Sequence, residues 1–206
     1  MGRRNLEPED IVRYEEDGPR VVLLDQRRLP HEEVELECRS VAEMVEAIRE
    51  LAIRGAPAIG VAAAYAVALA AELGADLDEA AAQLAAARPT AVNLAWALEQ
   101  MRDDPTPAHA RALHEEEVER CRAMAGHAAG LFDAGTRALT HCNAGGLATG
   151  GYGSAVGALR TAWERGVLER VPGTSSRVLR GGECRASRAQ LPSHRRRRDR
   201  DRSRGV

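Results

Sequence analysis

The sequence predicts an α/β protein, in which an N-terminal domain of small antiparallel sheet plus helices precedes the start of a Rossmann-like parallel-sheet domain. Short β-like segments open the chain, and apolar residues then recur at helical spacing as far as residue 131. A strand-like segment at 137–141 leads into a glycine-rich loop and one more helix. This order of elements favours two domains rather than one.

Three short strands are predicted at the N-terminus, over residues 11–15, 20–25 and 33–38. The Asp17-Gly18-Pro19 turn between the first two favours antiparallel pairing. Within residues 33–38 apolar side chains alternate strictly with glutamates, which is typical of a strand with one face in water. We interpret the glutamate row as a solvated face rather than a metal site, because exposed carboxylates on one strand face rarely bind metal.

Helical patterns follow the strands. Ser40 and Glu43 form a predicted capping box, and a nearly all-apolar helix is predicted from Pro57 to about Leu73. Its apolar run is shorter than the roughly 18 residues that a membrane span needs, so no membrane association is expected. Further helices are predicted from Asp76 or Asp78 to Arg88, from Thr90 to Met101, from Thr106 onward and over residues 154–164.

The helix after Thr106 has a predicted core stripe made of Leu113, Val118, Cys121, Met124, Ala128 and Leu131. Cys121 and Met124 are therefore interpreted as packing residues. His109, His114 and His127 have no carboxylate or cysteine partner at ligand spacing, which favours solvated or packed histidines over a metal site.

Residues 54–60, which read Arg-Gly-Ala-Pro-Ala-Ile-Gly, make a candidate anion site. No Ser, Thr, Asp or Asn precedes Pro57 to cap the first turn of its helix, so a ligand oxygen has room to bind there. Gly55 and Ala56 are small enough to let a phosphate reach the backbone, and Arg54 supplies a forked cation. An ordinary tight turn with a surface arginine explains these seven residues equally well.

Residues 137–146 end a predicted strand with small residues, and Cys142 lies at this strand-to-loop junction. Ligands of open α/β sheets bind beyond the carboxyl ends of strands, although a lone cysteine there is more often structural than catalytic. The glycines at 150, 151 and 153 do not match the dinucleotide pattern between strand and helix. No dinucleotide site is therefore predicted.

The composition is that of a cytoplasmic protein without a metal or cofactor motif. The N-terminus has no apolar stretch after its arginines, so neither a signal peptide nor an anchor is predicted. The four cysteines are widely spaced and contain no CxxC pair, which argues against a zinc site and against disulfides.

Three ordered motifs together resemble the 5-methylthioribose-1-phosphate isomerase family of methionine salvage. They are residues 54–60, residues 88–94 (Arg-Pro-Thr-Ala-Val-Asn-Leu) and residues 140–145 (Thr-His-Cys-Asn-Ala-Gly), and the pairs Asp25-Gln26 and Leu29-Pro30 fit as well. The resemblance covers about residues 10–170. Ribose-1,5-bisphosphate isomerases and regulatory subunits of an initiation-factor exchange factor share this family's fold.

The resemblance implies an aldose-ketose isomerase that uses no cofactor and no metal. It implies that Arg54, Gly55, Ala56 and Arg88 bind the substrate phosphate, and that Cys142 is the catalytic thiol at the reacting carbons. It also implies a cytoplasmic homodimer whose ligand is a small sugar phosphate. The alternatives are a non-catalytic sugar-phosphate or nucleotide sensor of the same fold, and a ribose-1,5-bisphosphate-type isomerase.

The predicted domains are 1–133, 134–170 as the first strand and helix of an incomplete Rossmann-like domain, and 171–206 as a basic, disordered tail outside the family. Residues 171–206 contain 11 arginines and 3 acidic residues (+8), whereas residues 1–170 contain 18 arginines and 28 acidic residues (−10). A nucleic-acid-binding arm and a reading-frame shift near Val171 both explain this tail; we prefer the frameshift, because no aromatic residue interleaves the arginines. The family's catalytic aspartate has no counterpart here, so little isomerase activity is expected.

Overall fold

A computed structural model of the chain describes residues 6–134, 136, 138, 140 and 142–168. Its antiparallel sheet has the strand order β1 (Val12–Glu15), β2 (Arg20–Leu24) and β3 (Glu35–Cys38). All three predicted strands are confirmed, with ends that shift by at most two residues. A short helix that the sequence analysis did not predict, α1 (Pro8–Ile11), precedes the sheet.

The remaining helices follow the sheet in chain order: α2 (Val41–Arg49), α3 (Ala56–Glu72), α4 (Leu77–Ala87), α5 (Val92–Gln100), α6 (Pro107–Ala129), α7 (Gly146–Thr149) and α8 (Ala155–Glu164). The side chains of Ser40, Asp76 and Thr106 each accept a hydrogen bond from the backbone N–H three residues on, at 3.2, 3.0 and 3.2 Å. The predicted caps at these three residues are therefore confirmed. The second half of the predicted capping box is not, because the Glu43 carboxylate accepts from the N–H of Arg39 at 2.5 Å rather than from that of Ser40.

Helix α3 is the centre of the main hydrophobic core, and residues 58–70 are all buried. Alanines make up much of this helix, and their small side chains let the sheet and the helices α2, α4, α5 and α6 pack closely around it. The approach to α5 is close, since a Cβ added at Gly60 would lie 2.8 Å from the carbonyl oxygen of Asn93.

The core stripe of α6 differs from the prediction at two positions. Met124 is 47% exposed and Leu131 is 84% exposed, so the prediction that they pack in the core is wrong. Helical spacing from Val118 through Cys121 leads instead to two small buried alanines, and Leu131 lies beyond the end of the helix. The buried residues of this helix are Ala110, Leu113, His114, Val118, Cys121, Ala125 and Ala129.

Helix α8 confirms the predicted helix at 154–164 and packs against the C-terminal part of α6 through a small cluster of Ala129, Leu159, Ala162 and Leu168. The predicted strand at 137–141 lies largely outside the described residues, as does the predicted tail at 171–206. The domain boundary at 133/134 stays a prediction. No helix in the described part of the chain is long and apolar enough to span a bilayer.

Candidate active site

The N-terminus of α3 has backbone N–H groups that the helix itself does not use. Gly55 is the N-cap residue, with φ +113° and no side chain to cap the first turn. The first intrahelical bond runs from the N–H of Ile59 to the carbonyl of Gly55 at 2.9 Å, so the N–H groups of Ala56 and Ala58 precede it. Pro57 has no N–H. The positive end of the helix dipole is therefore available to an anion.

Arg54 and Arg88 are cations without a partner in the described part of the chain. Arg54 is exposed, and Arg88 is half-buried at the C-cap of α4. Neither side chain forms a hydrogen bond or an ion pair within the described residues, whereas every other arginine there except Arg49 does. Two unneutralised guanidinium groups suit a phosphate dianion, because their planar forks match its oxygens.

The packing of α5 on α3 places Arg88 at the same end of the helices as Arg54. Asn93, which contacts Gly60, is the second residue of α5, and Gly60 lies in the second turn of α3. The N-termini of the two helices are consequently side by side. Arg88 precedes α5 by four residues and Arg54 precedes α3 by two.

Helix α7 joins this end of the molecule through a backbone contact. A Cβ added at Gly55 would lie 2.3 Å from the carbonyl oxygen of Ala148, so only glycine permits this approach. Cys142 lies four residues before α7, is exposed and has φ +58°, a left-handed conformation that is uncommon for a residue with a side chain. The structure thus brings together the 54–57 turn and the segment that follows Cys142.

Exposure distinguishes Cys142 from the other described cysteines. Cys38 and Cys121 are buried, and burial raises the pKa of each thiol to about 11. Because the thiolate is the reactive form, both are poor nucleophiles at neutral pH. Among the described residues Cys142 is therefore the accessible thiol.

Two buried polar side chains that contact α7 were not singled out as site residues. Gln26 donates from Nε2 to the carbonyl of Leu147 at 2.9 Å, and its own N–H donates to the carbonyl of Ala52 at 2.8 Å. His114 Nε2 lies 2.6 Å from the carbonyl oxygen of Gly150. The only sequence signals were the Asp25-Gln26 pair in the family resemblance and a histidine on the apolar face of α6.

A cavity of about 400 Å³ lies on the far side of His114, against Tyr14, Tyr65 and Arg111. Neither Arg54 nor Cys142 lines it, and Arg111 pairs with Glu16 at 3.0 Å. The described residues include no group of three or more His, Cys, Asp or Glu side chains arranged to hold a metal ion. The site at the α3 N-terminus is thus defined by arginines, backbone N–H groups and one thiol.

The combination of a helix N-terminus, two arginines without a partner among the described residues and an exposed thiol is of the kind that suits a small anionic ligand. Comparison of the sequence then identifies the family: the chain belongs to the initiation factor 2 subunit family, which it matches over residues 52–186. The match ends beyond residue 170, so it extends further into the basic tail than the motifs indicated.

The curated relatives include methylthioribose-1-phosphate isomerases. The protein of that name from Alkalilimnicola ehrlichii is 48% identical over 169 residues, which cover 71% of this chain and 48% of the relative. The one from Anaeromyxobacter sp. (strain Fw109-5) is 49% identical over 171 residues, covering 79% of this chain and 51% of the relative. The chain thus spans about half the length of these relatives.

Two solved structures share the fold. The 5-methylthioribose 1-phosphate isomerase from Pyrococcus horikoshii matches with a TM-score of 0.68 and 32% identity, over 82% of this chain and 54% of that chain. The translation initiation factor eIF-2B subunit delta from A. fulgidus matches with a TM-score of 0.62 and 39% identity, over 76% and 51%. The family resemblance and the predicted fold class are confirmed.

Proposed function

We propose that this chain supplies the phosphate-binding and thiol residues of an aldose-ketose isomerase that converts 5-methylthioribose 1-phosphate to 5-methylthioribulose 1-phosphate in methionine salvage. The observation that supports this most directly is the contact of Gly55 with Ala148, which joins the arginine turn to the segment after Cys142. Relatives at 48 and 49% identity are named for this activity. We further propose a cytoplasmic homodimer, as the family resemblance implies.

Phosphate binding would use Arg54, Arg88 and the N–H groups of Ala56 and Ala58. The anion oxygens accept hydrogen bonds from the guanidinium groups and complete the first turn of α3 in place of a capping side chain. No metal is required for this binding mode, because the arginines and the helix N-terminus supply the positive charge. The sugar ring would then extend from this anchor toward Cys142.

The chemistry accounts for a thiol near the sugar. The C1 oxygen of the substrate is esterified to phosphate, so the ring does not open to a free aldehyde. An acid must protonate the ring oxygen as its C–O bond breaks, and hydrogen must then move from C2 to C1. In our proposal the Cys142 thiol lies at these carbons and stabilises or transfers that proton.

A second candidate is a sugar-phosphate or nucleotide sensor without catalysis. The 39% identity to an initiation-factor subunit of the same fold favours keeping this alternative. A sensor would need Arg54 and Arg88 but not the thiol. Cys142 therefore separates the two functions.

The test measures binding of 5-methylthioribose 1-phosphate and its protection of Cys142 from iodoacetamide. We expect Arg54→Gln to weaken binding by about 10- to 100-fold, the loss typical of one charged hydrogen-bond donor. Arg49→Gln is the matched control, because Arg49 is equally exposed and lacks a partner within the described residues but lies at the end of α2. Equal affinities for Arg54→Gln and the wild type would contradict the phosphate site.

The catalytic role is tested in a chain whose reading frame is restored near Val171, because the 206-residue chain lacks the family's aspartate and is expected to show little turnover. In the restored chain an isomerase loses turnover in Cys142→Ser while it keeps its affinity for the substrate, since the arginines remain. Turnover unchanged by Cys142→Ser would contradict the assigned role of the thiol, and binding without turnover in the restored wild type would favour the sensor.

A further inference from the structure

We propose that Gln26 and His114 are positioning residues that hold α7 against the Arg54-Gly55 turn, and that phosphate affinity depends on both. This inference rests on the proposed function, because it concerns the same phosphate site. Neither side chain bears a full charge suited to binding the anion. They act through the carbonyl groups of Leu147 and Gly150.

Gln26 bonds to both chain segments that meet at Gly55. Its N–H donates to the carbonyl of Ala52, three residues before Gly55, and its side chain donates to the carbonyl of Leu147, which adjoins Ala148. The side chain is 1% exposed, so no water competes for these bonds. Gln26, which lies just after β2, therefore fixes the positions of the turn and of α7 relative to each other.

The orientation of the Gln26 amide follows from its surroundings. Leu147 offers only a carbonyl, so the amide nitrogen must face it, because the reverse orientation would oppose two oxygen atoms. Oε1 is left buried and without a partner in the described structure. An unpaired buried acceptor is unfavourable, so the Oε1 half of the amide does not explain why a polar side chain lies here. The bond from Nε2 to Leu147 does.

His114 holds the other end of the same helix. Gly150, the C-cap of α7 with φ +74°, accepts at its carbonyl from His114 Nε2 at 2.6 Å. Because that acceptor requires the proton on Nε2, the neutral ring accepts at Nδ1 from the Tyr65 hydroxyl at 3.1 Å. His114 is 5% exposed and Tyr65 is 2% exposed. Helices α3 and α6 therefore jointly fix the position of Gly150.

Helix α7 needs such external bonds. It has four residues and no side-chain cap, and a helix this short is not stable alone. Its contact with Gly55 has no spare room, since even one added methyl group would overlap Ala148. A small displacement of α7 would therefore move the Arg54-Gly55 turn or separate it from the segment after Cys142.

The experiment measures the dissociation constant of inorganic phosphate for four variants of the 206-residue protein. Gln26→Met closely keeps the side-chain volume and His114→Phe keeps a planar ring that is somewhat larger; both remove the donor, and we expect each to weaken phosphate binding by about tenfold. His114→Gln keeps a donor and should recover most of that loss. The double variant should lose less than the product of the two single effects, because both bonds hold the same helix.

Met101→Ala is the control for general destabilisation, since Met101 is fully buried in the main core at the C-cap of α5, the opposite end of that helix from Arg88. It should lower the melting temperature while phosphate affinity stays within about twofold of the wild type. Three results would overturn the proposal: unchanged affinity in the single variants, strictly multiplicative effects in the double variant, or an equal loss in Met101→Ala.

Failure of the proposed phosphate site is distinguishable from failure of the positioning role. If the wild type binds no phosphate, the phosphate site is wrong, and the positioning role is then judged from amide hydrogen exchange in α7. The N–H groups of Ala148 and Gly151 are hydrogen-bonded to Gly145 and Gly146 at 3.0 Å. Their exchange should accelerate about tenfold in Gln26→Met and in His114→Phe but not in Met101→Ala. Unchanged exchange would contradict the positioning role itself.

Discussion

The N-terminal sheet and the 142–153 segment differ in which atoms make their closest contacts, side-chain atoms or backbone atoms. In the sheet, side chains make the contacts: Val12, Val21 and Leu23 are fully buried, and Arg13 bonds to the carboxylate of Glu35 at 2.8 and 3.0 Å. In the 142–153 segment the closest contacts are between backbone atoms, and the side chains of Gln26 and His114 bond to its carbonyl groups. A Cβ at Gly146 would lie 2.0 Å from the carbonyl of Gly151.

This difference predicts where a substitution should lower stability most. A side chain on the sheet surface has solvent around it, so a change there is absorbed locally. A backbone contact between glycines leaves no room for a single methyl group, so a change there must move chain segments. The proposed site lies in the second kind of region, so substitutions at its glycines should lower the free energy of unfolding more than substitutions on the sheet surface.

Gly55→Ala should have the largest effect. The added methyl group would lie 2.3 Å from the Ala148 carbonyl, and φ +113° is strained for any residue with a Cβ. We expect a loss of at least about 3 kcal/mol in the free energy of unfolding, together with loss of phosphate binding. Urea denaturation followed by circular dichroism measures the first quantity.

Gly74→Ala is the matched control for the strain alone. Gly74 has φ +67° and no atom within 4 Å of an added Cβ, so the variant should lose only about 1 kcal/mol in the free energy of unfolding. Equal losses in the two variants would mean that the contact with Ala148 does not hold the segment in place.

Gly60→Ala should have the next largest effect. The helix α3 accommodates alanine readily, but the methyl group would lie 2.8 Å from the carbonyl of Asn93 and push α5 away. We expect a net loss of about 1–3 kcal/mol and weaker phosphate binding, because α5 positions Arg88.

The control for Gly60→Ala is Gly126→Ala in α6. The nearest atom to an added Cβ there is the Arg165 guanidinium at 3.6 Å, so helix propensity should stabilise this variant by about 0.5–1 kcal/mol. A stabilised Gly60→Ala would show that the approach of α3 and α5 is not close-packed.

The sequence predicts the sheet and most helices because their signals are local. Alternating side chains mark β3, and Ser40, Asp76 and Thr106 mark the helix starts by bonding to N–H groups three residues away. The apolar stripe of α6 gave a wrong prediction of burial for Met124, since apolar character alone does not decide burial at the edge of a helix face.

The site was only partly predictable for a physical reason. Arg54 and Gly55 stand out by type and by resemblance, but the contact that requires a glycine is with Ala148, far along the chain. The partners of Gln26 and His114 are 121 and 36 residues away. Helix α7 has no N-terminal side-chain cap and is too short for an apolar period, so its own residues give no sequence signal for it.

The stability of the protein should fall as the pH drops below about 6.5, the ordinary pKa of histidine. Burial lowers the pKa of His114 more than the Gly150 carbonyl and the nearby glutamates raise it. The unfolded chain therefore binds a proton that the folded chain does not, and stability is lost as the pH falls from that value toward the folded pKa.

His114→Gln removes this titration and keeps a donor for Gly150, so the slope of unfolding free energy against pH between 7 and 5.5 should flatten. His127→Gln is the control, because His127 is exposed in the same helix. A slope that His114→Gln leaves unchanged would mean that His114 is not the group responsible.

Arg13→Gln should have the smallest effect, although Arg13 makes more side-chain bonds than any site residue described above. Its guanidinium bonds to Glu35 and to Glu15, but its side chain is 29% exposed and that of Glu35 is 56% exposed, so water and salt screen the pair. We expect a loss of about 0.2–1 kcal/mol that shrinks in 1 M salt, with phosphate affinity unchanged. A double-mutant cycle with Glu35→Gln isolates the pair, since the two single losses should not add. A loss above about 2 kcal/mol would contradict the expectation that changes on the sheet surface are absorbed locally. Any change in phosphate affinity would also contradict it, because it would show that the sheet surface determines the position of α7.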